Sequence, residues 1–261
     1  MVAMMLAITV VYCIRRAQRR HDAIAKVDRV AWLMSRAPDC PGWLIDRIGR
    51  DRAFAVFGSR HDIIHTTHAD HKVLKEVAII GDVQILDLAA SRRLRDADLA
   101  HLLELKCLTT LSLVGTAITD HGLAFVSKVN NLKHLRLTGT RITDAGLARI
   151  GMLNQLERLD LKRTSISGVG LTYLKGLSHL STLFLDGTPM TREGVSRLSE
   201  LSQLSSLSIS ETDISDSELD IIKRLTNLRR LNISKTDVTG AGVGTLEMAL
   251  PKCEIQTSKE E

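Results

Sequence analysis

Aromatic residues make up only 3% of these 261 residues, and both tryptophans and two of the four phenylalanines fall before residue 58. Trp32, Trp43, Phe54 and Phe57 have to pack against something, which marks residues 21–57 as a folded segment. Paired cysteines are missing as well. Cys13, Cys40, Cys107 and Cys253 are scattered, so they fit neither a disulfide framework nor a zinc site, whose ligands come in pairs a few residues apart. A reducing compartment suits them. The chain carries no Gly-x-Ser-x-Gly elbow, no His-Glu-x-x-His helix and no Gly-x-x-x-x-Gly-Lys phosphate loop. Neither an enzyme activity nor a cofactor nor a small-molecule substrate is therefore expected. Positive charge is confined: of the net +5, four come from Arg15, Arg16, Arg19 and Arg20, leaving +1 for the rest. The pI near 9.1 is thus no sign of nucleic-acid binding.

What is present is a period of 24 residues. Leu108-x-x-Leu111-x-Leu113-x-x-Thr116-x-Ile118-Thr119-Asp120-x-Gly122-Leu123 recurs from Leu132, Leu156, Leu180, Leu204 and Leu228. Leu132, Leu135 and Leu137 alternate inward along a short strand and leave His134, Arg136 and Thr138 on the opposite face. Leu147, Ile150 and Leu153 then recur every third residue, as an inward helical or 3₁₀ stripe does. One parallel strand and one short helix per repeat predict an α/β leucine-rich repeat solenoid, with a curved parallel sheet on the concave side and short helices on the convex side. Asp96, Asp120, Asp144 and Asp216 stand where they would cap those helices. Thr116, Thr140, Thr164, Thr188, Thr212 and Thr236 read as a ladder of buried hydroxyls, each bonding backbone in a neighbouring coil. Glycines such as Gly168, Gly170, Gly240 and Gly242 belong to the repeat turn.

Val83-x-x-Leu86-x-Leu88-x-x-Ser91 begins one more copy, giving seven repeats over 83–251, with an eroded repeat at 58–82 and a cap strand and tail at 252–261. Residues 15–57 read as a basic juxtamembrane helix continuing through His21–Met34, followed by a second helix at Trp43–Ile48, together forming an aromatic amino-terminal cap. Residues 1–14 are almost wholly apolar and run into the four arginines. Fourteen helical residues rise about 21 Å against a hydrocarbon core of about 30 Å, so a membrane anchor, a cleaved signal and a peripheral segment all compete. The anchor is expected, short and with its amino end incomplete, in the inner (cytoplasmic) membrane. The arginines place the repeats on the cytoplasmic side.

His61, His65, His68 and His71 form a cluster, but Thr66 and Thr67 are poor helix formers and repeat alignment gives His68 and Asp70 ordinary places, so no metal is expected. Function is sought where the repeat does not dictate the residue. On the concave face these positions are His134, Arg136, Arg158, Asp160, Lys162, Phe184 and Asp186, a mixed charged patch around one exposed aromatic.

Gly139-Thr140-Arg141-Ile142-Thr143-Asp144-Ala145-Gly146-Leu147 resembles the repeat of a large, mostly uncharacterised bacterial family of leucine-rich repeat proteins. The apolar start, Pro41-Gly42-Trp43-Leu44 and Ala249-Leu250-Pro251-Lys252-Cys253 extend that resemblance to nearly the whole chain. It implies interaction: a membrane-tethered, non-catalytic scaffold for an unknown protein partner. The repeats also resemble those of F-box adaptors of ubiquitin ligases, with Pro41–Ile48 similar to the start of an F-box. An adaptor is one alternative; a metal-dependent enzyme using the His61–His71 cluster is the other.

Overall fold

A computed structural model describes residues 32–33, 63–81 and 83–258. The apolar stretch 1–14, its arginines, the helix expected at Trp43–Ile48 and His61 lie outside the described residues. Within them ten strands make one sheet in chain order. They are β1 (Trp32–Leu33), β2 (Ile63–His65), β3 (Ile85–Asp87), β4 (Thr110–Ser112), β5 (His134–Arg136), β6 (Arg158–Asp160), β7 (Thr182–Phe184), β8 (Ser206–Ser208), β9 (Arg230–Asn232) and β10 (Glu254–Gln256). From β2 to β10 every neighbouring pair is parallel and in register, so Leu86, Leu111, Leu135, Leu159, Leu183, Leu207 and Leu231 stack as one buried column. β1 departs from the helix expected over His21–Met34. Trp32 and Leu33 instead pair antiparallel with β2, where a solenoid's first strand otherwise presents unpaired backbone groups.

Helical segments follow the strands. α1 (His71–Ile80) is capped by Asp70, whose Oδ1 accepts the Val73 N–H at 3.0 Å. The later turns are α2 (Leu123–Val126), α3 (Asp144–Ile150), α4 (Arg192–Leu198), α5 (Leu219–Ile222) and α6 (Gly240–Ala249), with 3₁₀ turns at Asp96–Glu104, Val169–Leu174 and Asp216–Glu218. Leu147, Ile150 and Leu153 are fully buried under the sheet, as their spacing requires.

Two expectations about polar residues need correction. The threonine column is buried from Thr116 to Thr212, but each hydroxyl donates to a carbonyl three residues back in its own repeat, as Thr164 does to Leu161 at 2.6 Å. The hydroxyl thus closes the turn after its own strand. Stitching occurs at Ser91, whose Oγ donates to the Thr66 carbonyl and accepts from the Ala69 N–H. The aspartates do not cap their own helices. Thr143, Thr191, Ser215 and Thr239 do that, each side chain accepting an N–H from the first helical turn.

The aspartates reach across to the next coil, because the helix starts of successive repeats stack side by side. Asp96 accepts the N–H and hydroxyl of Thr119, Asp120 those of Thr143, and Asp216 those of Thr239, all at 2.6–2.9 Å. Asp144 takes the N–H and hydroxyl of Ser167 and the N–H groups of Gly168 and Gly170. These bridges explain the glycine two residues after the aspartate. A Cβ on Gly122, Gly146 or Gly242 would sit 2.1–2.5 Å from Oδ1 of the previous repeat's aspartate. Where the aspartate is missing, the slot stays glycine after Gly168, because a Cβ on Gly194 would sit 2.0 Å from the Ser167 carbonyl oxygen, but it changes in two other places. Arg192 holds that place, and the following glycine slot is Glu218, which accepts the Ser215 N–H at 3.0 Å; His71 holds it earlier, and Asp98 accepts the Arg95 N–H at 2.9 Å.

Candidate binding surface on the sheet face

The register places side chains on the concave face in three columns. His134, Arg158, Thr182, Ser206 and Arg230 share the first, Arg136, Asp160, Phe184, Ser208 and Asn232 the second. Lys162 and Asp186 lie just after their strands in the third. A hollow of about 310 Å³ opens over β6–β10, lined among others by Arg158, Lys162, Phe184, Arg230, Asn232 and Glu254.

Phe184 is half-buried, because two cations cover its ring. The Arg158 guanidinium lies 4.4 Å and the Lys162 ammonium 4.7 Å from the ring centroid. The ring's electron-rich face attracts both, which fixes two otherwise floppy side chains. Lys162 Nζ also sits 3.2 Å from Asp186 Oδ2.

The two acids expected at the surface are largely sunk into it. Asp160 and Asp186 are each 7% exposed. Asp160 Oδ1 accepts the Thr138 hydroxyl at 2.8 Å and the Lys162 N–H at 3.1 Å; Asp186 accepts the hydroxyls of Ser208 and Ser210. Burial pushes the Asp186 carboxyl up, but those two hydroxyls and the Lys162 ammonium outweigh it, and its pKa falls below the ordinary value. A depressed folded pKa contributes stability that is present above the unfolded value, about 4, and is lost as pH falls through the folded one. The gap in thermal midpoint between the native chain and Asp186→Asn should therefore be widest near neutrality and narrow below about pH 4. A gap independent of pH would mean that the carboxylate's charge contributes nothing.

The bases remain outside. Arg136, Arg158 and Arg230 are exposed, and none forms an ion pair among the described residues. Arg136 and His134, on β5, lie beyond the hollow; His134 Nε2 is 3.9 Å from Glu157, which Lys133 holds at 2.8 Å. Sequence reasoning singled out Arg158, Lys162 and Phe184, which the fold brings together, and missed Arg230 and Glu254. The signal was available: Arg230 lies 72 residues, three periods, beyond Arg158.

The histidine cluster is dispersed where it is described. His65 bonds Asp87 at 2.9 Å, His68 meets the Thr67 hydroxyl, and His71 packs against His101 with ring centroids 4.7 Å apart. Among the described residues no three His, Cys, Asp or Glu side chains are grouped to hold a metal.

A family model described as a leucine-rich repeat region matches residues 95–253, more than half of the chain. The chain belongs to the leucine-rich repeat family. Among solved structures, this leucine-rich repeat protein is similar to internalin C2 of Listeria monocytogenes, with 24% identity over 73% of this chain and 77% of that one and a TM-score of 0.52. Another internalin of that organism matches at 20% identity over 72% and 64% of the two chains, TM-score 0.45. A leucine-rich repeat protein of Leptospira interrogans matches at 20% over 74% and 58%, TM-score 0.46. The internalin C2 likeness shows the shared fold. No curated protein matches this leucine-rich repeat chain.

Proposed function

We propose that this protein is a non-catalytic scaffold that holds a protein partner on its concave face while residues 1–14 tether it to the inner (cytoplasmic) membrane, with the repeats on the cytoplasmic side. Among the described residues no helix is long and apolar enough to cross a membrane, so the tether rests on the sequence of residues 1–20 alone. The binding reading rests on one observation: Phe184, stacked beneath Arg158 and Lys162, in a hollow that the repeat pattern does not require. Aromatic and arginine side chains carry most of the binding energy where they cluster in pockets. Here they are held in place before any partner arrives, which lowers the ordering cost of association. No observation among the described residues favours the ubiquitin-ligase adaptor or the metal enzyme.

A photo-crosslinking residue introduced at Thr182, beside the hollow, should label a protein partner in native membranes. The same residue at Tyr173, exposed on the helical side, should not. Labelling from position 173 alone would move the site to the convex face, and recovery of the chain from the soluble fraction would remove the tether.

A further inference from the structure

Resting on that reading, we infer that the concave hollow takes an extended acidic segment of its partner, with two carboxylates on Arg158 and Arg230 and an apolar side chain between them over Phe184. Charge supports this first. The two aspartates of this part of the face, Asp160 and Asp186, are buried and committed to hydroxyls, a backbone N–H and Lys162, which leaves Glu254, at the far end, as the exposed acid lining the hollow. The exposed guanidiniums of Arg158 and Arg230 have no ion-pair partner among the described residues. From β6 to β9 the face hides its aspartates and displays its arginines, which makes that stretch complementary to carboxylate.

Geometry supports it second. Arg158 and Arg230 stand in one column on β6 and β9, three strand spacings apart, or about 14 Å. An extended chain crossing the strands advances about 3.4 Å per residue and returns side chains to one face every second residue. Residues i and i+4 therefore meet the two arginines, and i+2 falls over β7 and β8. There Phe184, half-buried and lining the hollow, offers the apolar surface its two cations leave uncovered, and the small side chains of Ser206 and Ser208 leave room. Stacking on Phe184 orients the Arg158 guanidinium but leaves its N–H groups free for a bidentate carboxylate. Glu254, paired in register with Arg230 at the end of the hollow, would repel an acid placed further along. It sets the limit at β9.

The probe is a fluorescein-labelled Gly/Ser peptide with glutamate at i and i+4 and leucine at i+2, titrated by anisotropy against the full chain. Its glutamine version should bind at least ten-fold more weakly. Arg158→Glu/Arg230→Glu, both at exposed positions, should lose the glutamate peptide by at least ten-fold and gain the lysine version, with an unchanged thermal midpoint. Equal binding of glutamate and glutamine peptides, no binding of either, or glutamate binding untouched in the double variant would overturn the inference. So would preferential binding of a ten-nucleotide single-stranded DNA. The two proposals fail separately. If position 182 crosslinks a protein that the glutamate peptide cannot displace, the scaffold stands and the acidic segment does not; if no protein is crosslinked there, the scaffold itself falls.

Discussion

Gly146→Ala is expected to destabilise the solenoid by about 2–4 kcal/mol, although it replaces a helical glycine with the best helix former. The new Cβ would stand 2.3 Å from Asp120 Oδ1, 2.8 Å from Leu123 Cδ1 and 3.0 Å from Ile142 Cγ2. Relief requires the carboxylate to leave the Thr143 N–H and hydroxyl, which it accepts at 2.9 and 2.6 Å. Losing hydrogen bonds to a charged group costs roughly 1.5–3 kcal/mol, and overpacking adds about 1–3. The gain in helix propensity returns about 1 kcal/mol. Gly244→Ala separates these terms. Gly244 lies in α6 with nothing within 4 Å of a built Cβ, so that variant should be stabilised by about 0.5–1 kcal/mol. Denaturant midpoints of the two variants measure the contrast. If Gly146→Ala and Gly244→Ala shift stability alike, the bridge between repeats contributes nothing.

The period of 24 residues made the parallel sheet and its leucine columns readable, because burial at Leu135 or Leu159 depends only on strand alternation and on an identical neighbour on each side. The polar positions were read less well. Asp120 and Thr140 have partners whose distance depends on how successive coils stack, and periodicity within one repeat carries no such distance. Thr140 accordingly bonds within its own coil, while Asp120 bonds the next one, the reverse of what their local positions suggest. Glu218 and Arg192 hold the useful clue. Departures from a repeat that occur in compensating pairs report contacts between coils, and these two lie 3.8 Å apart.

On the concave face, sequence alone identified Arg158, Lys162 and Phe184 because they break the small polar character of their columns. Two things were hidden. Phe184 was expected as an exposed aromatic, yet two cations cover its ring, since all three side chains converge across adjacent strands. Asp160 and Asp186 looked equivalent to the arginines, but a short carboxylate is reached by hydroxyls of an adjacent coil, the preceding one for Asp160 and the following one for Asp186, whereas a long guanidinium extends past them into solvent.

Replacing Arg136, Arg158 and Phe184 together with alanine is the second large effect, expected on binding and not on folding. Both arginines are exposed and unpaired, and Phe184 lies on the sheet's outer face, so the buried leucine columns are untouched. Truncating central aromatic and arginine anchors costs about 2 kcal/mol or more each, which for Arg158 and Phe184, the two of the three that line the hollow, weakens a micromolar complex to roughly millimolar. The helical side supplies the control: Met152 and Tyr173 are 56% and 53% exposed there, and Met152→Ser/Tyr173→Ser should leave binding intact. Partner capture from native membranes by these two full-length variants, with thermal midpoints matched to the native chain, tests the concave site most directly. Capture lost in the triple variant and kept in the double one is the predicted result; capture kept in the triple variant and lost in the double one would contradict it.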